Sequence, residues 1–336
     1  MKRFSLIWII FILCKGTIFA GEYADAFLET DVSARAQAMA RTIGALDHSG
    51  TAFASNPAGL AYVQKTQIGF MYTSHFGLAN YNYLGLAIPF IGKSTAAINW
   101  IHFGVDDIPI RPDYLREVPD PAARRDSVIA LQNYPLDTFN DTEDAVFISF
   151  ARFQTKSVDL GWRYSPFQVD IPLGINFKII HKAFYNLEAY GIGVDLGGRL
   201  SVKGDDLFEI SKMGKINIGF ALRDVAGTLI YWNTQRQDEI RMTPMLALGF
   251  EQPLERLGIQ INLGLTKEYR YQDQMRYGIE CIVKNRLSIR AGLDNANLTS
   301  GIGLNFMLLK RNIQIDYSFI SHELGAIHRV GGGIEI

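Results

Sequence analysis

Residues able to do chemistry are few in this chain, and their spacing argues against catalysis. The six histidines, His48, His75, His102, His181, His322 and His328, show no metal-ligand spacing. His322 and His328 are close, and a turn between strands accounts for them. Asp106 and Asp107 are adjacent, and neighbours on an extended chain point apart. They read as solvated loop charge, with contact to a cation or a partner as the alternative. The sequence holds no Gly-x-Ser-x-Gly elbow, no phosphate-binding loop and no His-Glu-x-x-His. The stretches GIGVDLGG and GIGLNF alternate glycine with apolar residues, so they read as small residues on the lumen side of a strand. No catalytic residue, cofactor or metal site is expected.

The elements that would position these residues are bounded by composition. The chain has 336 residues and a formal net charge of −1, with charges spread along it. That gives no support to nucleic-acid binding or to a polybasic membrane surface. Charged residues make up 20% and aromatics 12%, a balance that leans towards a membrane face.

Residues 1–20 read as a signal peptide: Lys2 and Arg3 form the positive start, Phe4 to Cys14 is apolar, and Ile18-Phe19-Ala20 offers a cleavage site. The apolar run is shorter than the roughly 20 residues that span a bilayer. Leu13 stands before Cys14 where a lipoprotein wants a small residue. Cleavage leaves Cys281 alone, which excludes an intramolecular disulfide and reads as an apolar strand residue.

Beyond residue 60 the order is of period two. In RNIQIDYSFI, Ile313, Ile315, Tyr317 and Phe319 oppose Asn312, Gln314, Asp316 and Ser318. GIQINLGLT and VDLGWRY (Val158 to Tyr164) repeat the pattern, as do runs from Gln67 through to Ile336, giving about fourteen or fifteen strands. A soluble sandwich and a transmembrane barrel both produce such alternation. Strands of about nine to eleven residues match a tilted membrane strand and exceed those of globular sheets. The non-apolar face is rich in Gly, Ala, Asn and single charges, which suits a crowded lumen. A closed barrel also satisfies every backbone group within hydrocarbon. Aromatics near strand ends, among them Tyr231, Trp232, Tyr269 and Tyr271, agree with interfacial girdles. The expectation is an all-β, transmembrane antiparallel β-barrel of about 14 strands, in the bacterial outer membrane and surrounded by its lipid.

Residues 105–144 break the rhythm, with five of the eleven prolines. They read as a long outer loop, solvated or binding, with a short helix around Pro121 to Leu131.

With the barrel in place, VSARAQAMARTIGALDHSGTAFASNPAGLA resembles the N-terminal signature of the PorV/PorQ family, a branch of the FadL-like outer-membrane barrels. Ala34, Arg35 and Met39 match its start, and Asn56, Pro57, Ala58, Gly59 and Leu60 match its end. Ala40 and Arg41 stand where the signature has a double glycine. Pro57 fixes its own φ and pushes Asn56 to an extended conformation, setting the angle at which the chain leaves this segment. Small residues such as Ala52, Ser55, Ala58 and Gly59 allow close packing, and Ser33 to Ala40 is expected to hold a short helix. The resemblance implies that residues 21–60 form a plug or hatch in a barrel of residues 61–336; the alternative is a periplasmic lead-in to the first strand. It also implies association with type IX protein secretion, the partners being exported cargo proteins and other secretion components. The alternative within the fold is a FadL-like transporter of hydrophobic small molecules, and a third reading is a soluble secreted adhesin.

Overall fold

The computed structural model describes residues 26–336 apart from 132–133, 135, 160, 162–165, 271–272, 295–296 and 323–324. The expected leader, residues 21–25 of the expected plug, and Trp162, Tyr164 and Tyr271 lie outside the described residues.

Alternating sequence produces one closed antiparallel sheet. Its strands are β1 (Gln67–His75), β2 (Ala79–Phe90), β3 (Ser94–Pro109), β4 (Thr138–Arg152), β5 (Thr155–Val158), β6 (Phe167–Asp170), β7 (Leu173–Phe184), β8 (Leu187–Lys203) and β9 (Lys215–Arg223). They continue as β10 (Thr228–Trp232), β11 (Gln237–Ile240), β12 (Thr243–Leu254), β13 (Ile259–Tyr269), β14 (Asp273–Val283), β15 (Leu287–Asp294), β16 (Asn297–Leu308), β17 (Arg311–His322) and β18 (Gly325–Glu335). The strand segments reduce to a 14-strand barrel. β9 and β10 are halves of one stave, because both pair with β8; β11 and β12 are likewise halves of the next. The short β5–β6 hairpin is an addition at the barrel rim, since β4 pairs directly with β7.

Closure comes from β1 on β18, in continuous register from Gln67↔Glu335 to Ser74↔His328. No open edge is left at this seam, as hydrocarbon requires. Outward positions are large and apolar, for example Leu84, Ile98, Ile148, Phe177, Ile192, Phe220, Ile279 and Ile302, all exposed on the bare chain. Inward positions are small or polar and buried, among them Asn99, Asn176, Asp195, Asn217, Asn262, Glu280 and Arg290. An apolar exterior around a polar interior inverts the soluble pattern and belongs to a barrel in lipid. The architecture is that of a bacterial outer-membrane barrel.

Turns at 91–93, 255–258, 284–286 and 309–310, with the β5–β6 hairpin and the 204–214 connection, close the end that carries Gln67 and Glu335, which is the periplasmic end because the longest connection leaves the other. The long connection is on the opposite end. It is shorter than the sequence suggests: β3 runs to Pro109 and β4 begins at Thr138, leaving residues 110–137 as loop. Asp106 and Asp107 therefore belong to β3. They sit at a bulge where the β3–β4 register shifts, with Asp107 at φ 56° and its N–H donating to Asn140 Oδ1 at 3.2 Å. The loop carries helix α2 (Pro121–Leu131; the shorter helix α1 is described below), and none of its residues is buried.

Candidate functional site

The functional geometry lies where residues 26–63 meet the inner wall. This segment is built of short turns of helix, and its side chains are mostly buried. Helix α1 (Ala34–Ala38) is started by Ser33, whose Oγ accepts the Ala36 N–H at 3.3 Å. The chain then turns at Ala40 and Arg41, with φ 51° and 60°. These are the two positions where the signature has its double glycine. The left-handed turn is thus made with side chains present, at a backbone cost that glycine avoids. Arg41 gains contacts there: its guanidinium donates to the Glu29 carbonyl at 2.7 Å and lies 3.4 Å from Asp294.

Glycines on the wall make room for this segment. Gly249, Gly264, Gly278 and Gly292 are directly paired neighbours on β12 to β15 and form a row across the interior. A side chain on Gly264 would begin 2.6 Å from the Thr42 carbonyl oxygen, and one on Gly292 would begin 2.6 Å from the Ala40 nitrogen. Backbone against backbone at this distance tolerates no Cβ. On the facing wall, Gly174 and Gly197 take the same part beneath Pro57 and Asn56. In GIGVDLGG, Gly191, Gly193 and Gly197 keep to the inward rows, whereas Gly198 faces outward beneath the Phe220 ring.

Asn56 and Pro57 lock the end of the segment. Asn56 is extended (φ −152°, ψ 108°), and Pro57 opens a 3₁₀ turn through Tyr62. Asn56 Oδ1 accepts the Ala58 N–H at 3.1 Å, while its Nδ2 donates to the carbonyls of Gly44 and Gly198, both at 3.0 Å. One side chain thus caps the turn, ties the segment to itself and ties it to β8. Ala58, Gly59 and Leu60 are all buried.

Arginines supply the remaining ties. Arg35 makes a two-pronged contact with Glu280, Nε to Oε1 at 3.0 Å and Nη2 to Oε2 at 2.7 Å. Glu280 also accepts from Arg290 at 2.6 Å and from Asn262 at 2.8 Å, and Arg290 reaches Asp316 at 2.6 Å. Arg199 donates to the Asp47 carbonyl at 2.6 Å and Arg329 to the Asp31 carbonyl at 2.9 Å. Burial disfavours the Arg35 cation, but the Glu280 carboxylate, with Asp47 and Asp316, outweighs it and raises the pKa. Burial raises Asp31 above the usual carboxylate range despite Arg41 and Arg329. Burial, with the Arg199, Arg35 and Lys215 cations, holds His48 well below an ordinary imidazole.

The wall itself is interrupted beside the segment. Between Leu196↔Leu222 and Gly191↔Ile230, residues 192–195 of β8 stand opposite the longer stretch 223–229. The excess is the bulge Asp224–Gly227, pinned by Lys178 Nζ, which lies 2.7 Å from Asp224 and 2.8 Å from Asp195. A cavity of about 30 Å³ behind it is lined by Leu28, Thr30 and Val32 of the segment and by Asp195, Arg223 and Asp224 of the wall.

The histidines are scattered. His48 packs on Tyr62, His102 on Asp144, His181 on Tyr190 and His328 on Tyr317. Among the described residues no three His, Cys, Asp or Glu side chains are grouped to hold a metal ion. Cys281 is half-buried in β14, paired with Ile261 and Ile289.

The fold and this geometry define a class: an outer-membrane β-barrel whose N-terminal segment is bound to its inner wall. No protein-family model matches the chain, and no curated protein matches it either. Several solved structures are similar to it. A FadL homologue of Pseudomonas aeruginosa shares 10% identity at a TM-score of 0.48, covering 94% of this chain and 98% of its own. The Ralstonia pickettii toluene transporter TbuX shares 10% identity at a TM-score of 0.45, over 90% of this chain and 97% of its own. The Acinetobacter baumannii outer membrane protein Omp33 shares 6% identity at a TM-score of 0.35, over 81% and 98%.

Proposed function

We propose that this chain is an outer-membrane channel for hydrophobic small molecules, with residues 26–63 acting as its plug. The observation that carries the reading is the interrupted stave. At the bulge Asp224–Gly227 the regular pairing with β8 gives way to a bridge from the Val225 N–H to the Val194 carbonyl at 2.8 Å, and the cavity behind it reaches the plug at Leu28 and Val32. A solute leaving the barrel there would pass into lipid and not into water, which suits an apolar cargo. No catalytic step is assigned to any residue.

The test is uptake of a fluorescent long-chain fatty acid into vesicles holding the purified barrel. Deleting Val225, Ala226 and Gly227 to make the stave continuous should abolish uptake while the barrel still resists detergent. Unchanged uptake by that variant would remove the bulge from the path, and no uptake by the wild type would end the channel reading.

A second reading rests on the N-terminal signature and on helix α2, which turns no buried face to the barrel and is free to meet a protein. In it the barrel handles exported cargo alongside type IX secretion components. Mass spectrometry of material co-purified in mild detergent separates the two. Secreted proteins sharing a C-terminal sorting domain support the second, and fatty acids on a bare barrel support the first.

A further inference from the structure

We infer that the periplasmic turns between β14 and β15 and between β16 and β17 form a docking pad for anionic phospholipid of the inner leaflet. The pad is built from two adjacent tight turns. Lys284, Asn285 and Arg286 make one, and Leu309, Lys310 and Arg311 lie in or beside the other. A hydrogen bond from the Asn305 N–H of β16 to the Arg286 carbonyl at 2.7 Å sets the first turn against the strand that leads into the second. All four cations are exposed, and neither turn contains an acid.

The leucine is the telling residue. Leu309 has φ 49° and Lys310 φ 64°, a pair of left-handed positions that tight hairpins normally fill with Asn and Gly. A leucine there is disfavoured by its backbone, and it is 87% exposed, so neither local conformation nor the protein core accounts for it. Contact with lipid accounts for both. Leu308, on the outward phase of β16, stands beside it, 52% exposed. Through Phe306, Leu304 and Ile302 the apolar surface continues without a break into the lipid-facing wall.

An apolar tip continuous with the membrane band, ringed by four cations, matches the acyl–headgroup boundary of an anionic leaflet. The occupant is a glycerophospholipid such as phosphatidylglycerol, because these turns are on the periplasmic end, opposite the long loop. The same end is not uniformly basic. The β8–β9 connection carries Asp205, Asp206 and Glu209, so the attraction is confined to one arc of the rim.

Native mass spectrometry of the full barrel, titrated with phosphatidylglycerol or phosphatidylethanolamine in mild detergent, tests this. The wild type should retain phosphatidylglycerol preferentially. A variant with Lys284→Gln, Arg286→Gln, Lys310→Gln and Arg311→Gln should lose that preference by about tenfold or more, four cations being removed from the headgroup field. A control with Arg111, Arg116, Arg124 and Arg125 changed to Gln, on the opposite rim, should keep it. Both variants are first checked for an intact barrel by their heat-dependent gel mobility. Equal retention of the two lipids by the wild type, or undiminished phosphatidylglycerol on the four-residue variant, would overturn the pad. So would loss of the preference in the control.

Discussion

The two walls that grip the N-terminal segment do so by different means. Along β2–β4, β7 and β10–β11 the contact is apolar: Phe53 packs on Phe147 at 4.9 Å between ring centres, within a cluster that includes Leu60, Tyr81, Ile101, Ile180 and Ile230. Along β13–β17 the contact is ionic, with the partly buried Arg35 joined to the buried Glu280, Arg290 and Asp316. Apolar contact is non-directional and forgives small shifts, whereas a buried ionic group is stable only with all its partners in place. One wall supplies adhesion and the other supplies register.

The sharpest way to break this contrast is Glu280→Leu. It leaves Arg35 and Arg290 buried without their shared carboxylate, and should destabilise the barrel by about 3–5 kcal/mol in thermal unfolding followed by gel mobility. Replacing Arg35, Glu280, Arg290 and Asp316 together by apolar residues should restore most of the loss, which a purely apolar wall would never show. On the other side, Phe53→Ala should cost about 3 kcal/mol through the cavity it leaves, with no such rescue. Gly264→Val drives a side chain into the Thr42 carbonyl, and about 2 kcal/mol is expected from overpacking. Its signature is protease cleavage within residues 26–63 while the barrel stays intact. Asn56→Ala removes the cap, and about 1 kcal/mol should be lost in the same protease assay.

The smallest effect is on pH. His48 has a depressed pKa in the bound segment, so its neutral form is favoured there. Its contribution is complete above the ordinary imidazole pKa of about 6.5 and declines as pH falls below it. Asp31 and Glu29 have raised pKa values and act with the opposite sign, their burial being less costly once protonated. Protease protection of the segment in His48→Gln should therefore hold or rise between pH 7.5 and 5.5, while the wild type falls below its variant as acid is added. Parallel curves for the two proteins would exclude His48 from the balance.

Period-two alternation made the barrel legible, because lipid outside and a crowded interior impose opposite demands on alternate residues. Asn56-Pro57 was legible too, since both restrict the backbone locally. The ionic wall was not. Arg35 and Glu280 meet only because the sheet closes, and nothing local in either stretch announces the other. The same holds for the interrupted stave. Alternation is regular along β9 and ends at the bulge, and the short β10 and β11 beyond it are below the length at which alternation shows. At the long loop the prolines and charges hid the extensions of β3 and β4, because a strand above the membrane no longer needs an apolar face.

The glycine row also bears on how the molecule is made. Residues 38–46 touch staves from β9 to β16, and the wall closes only when β18 meets β1. A segment threaded in after closure would have to pass the narrowed, side-chain-filled interior, whereas one already lying against the glycines is simply enclosed. The earliest part of the described chain is thus enclosed by a wall whose seam joins the first strand to the last.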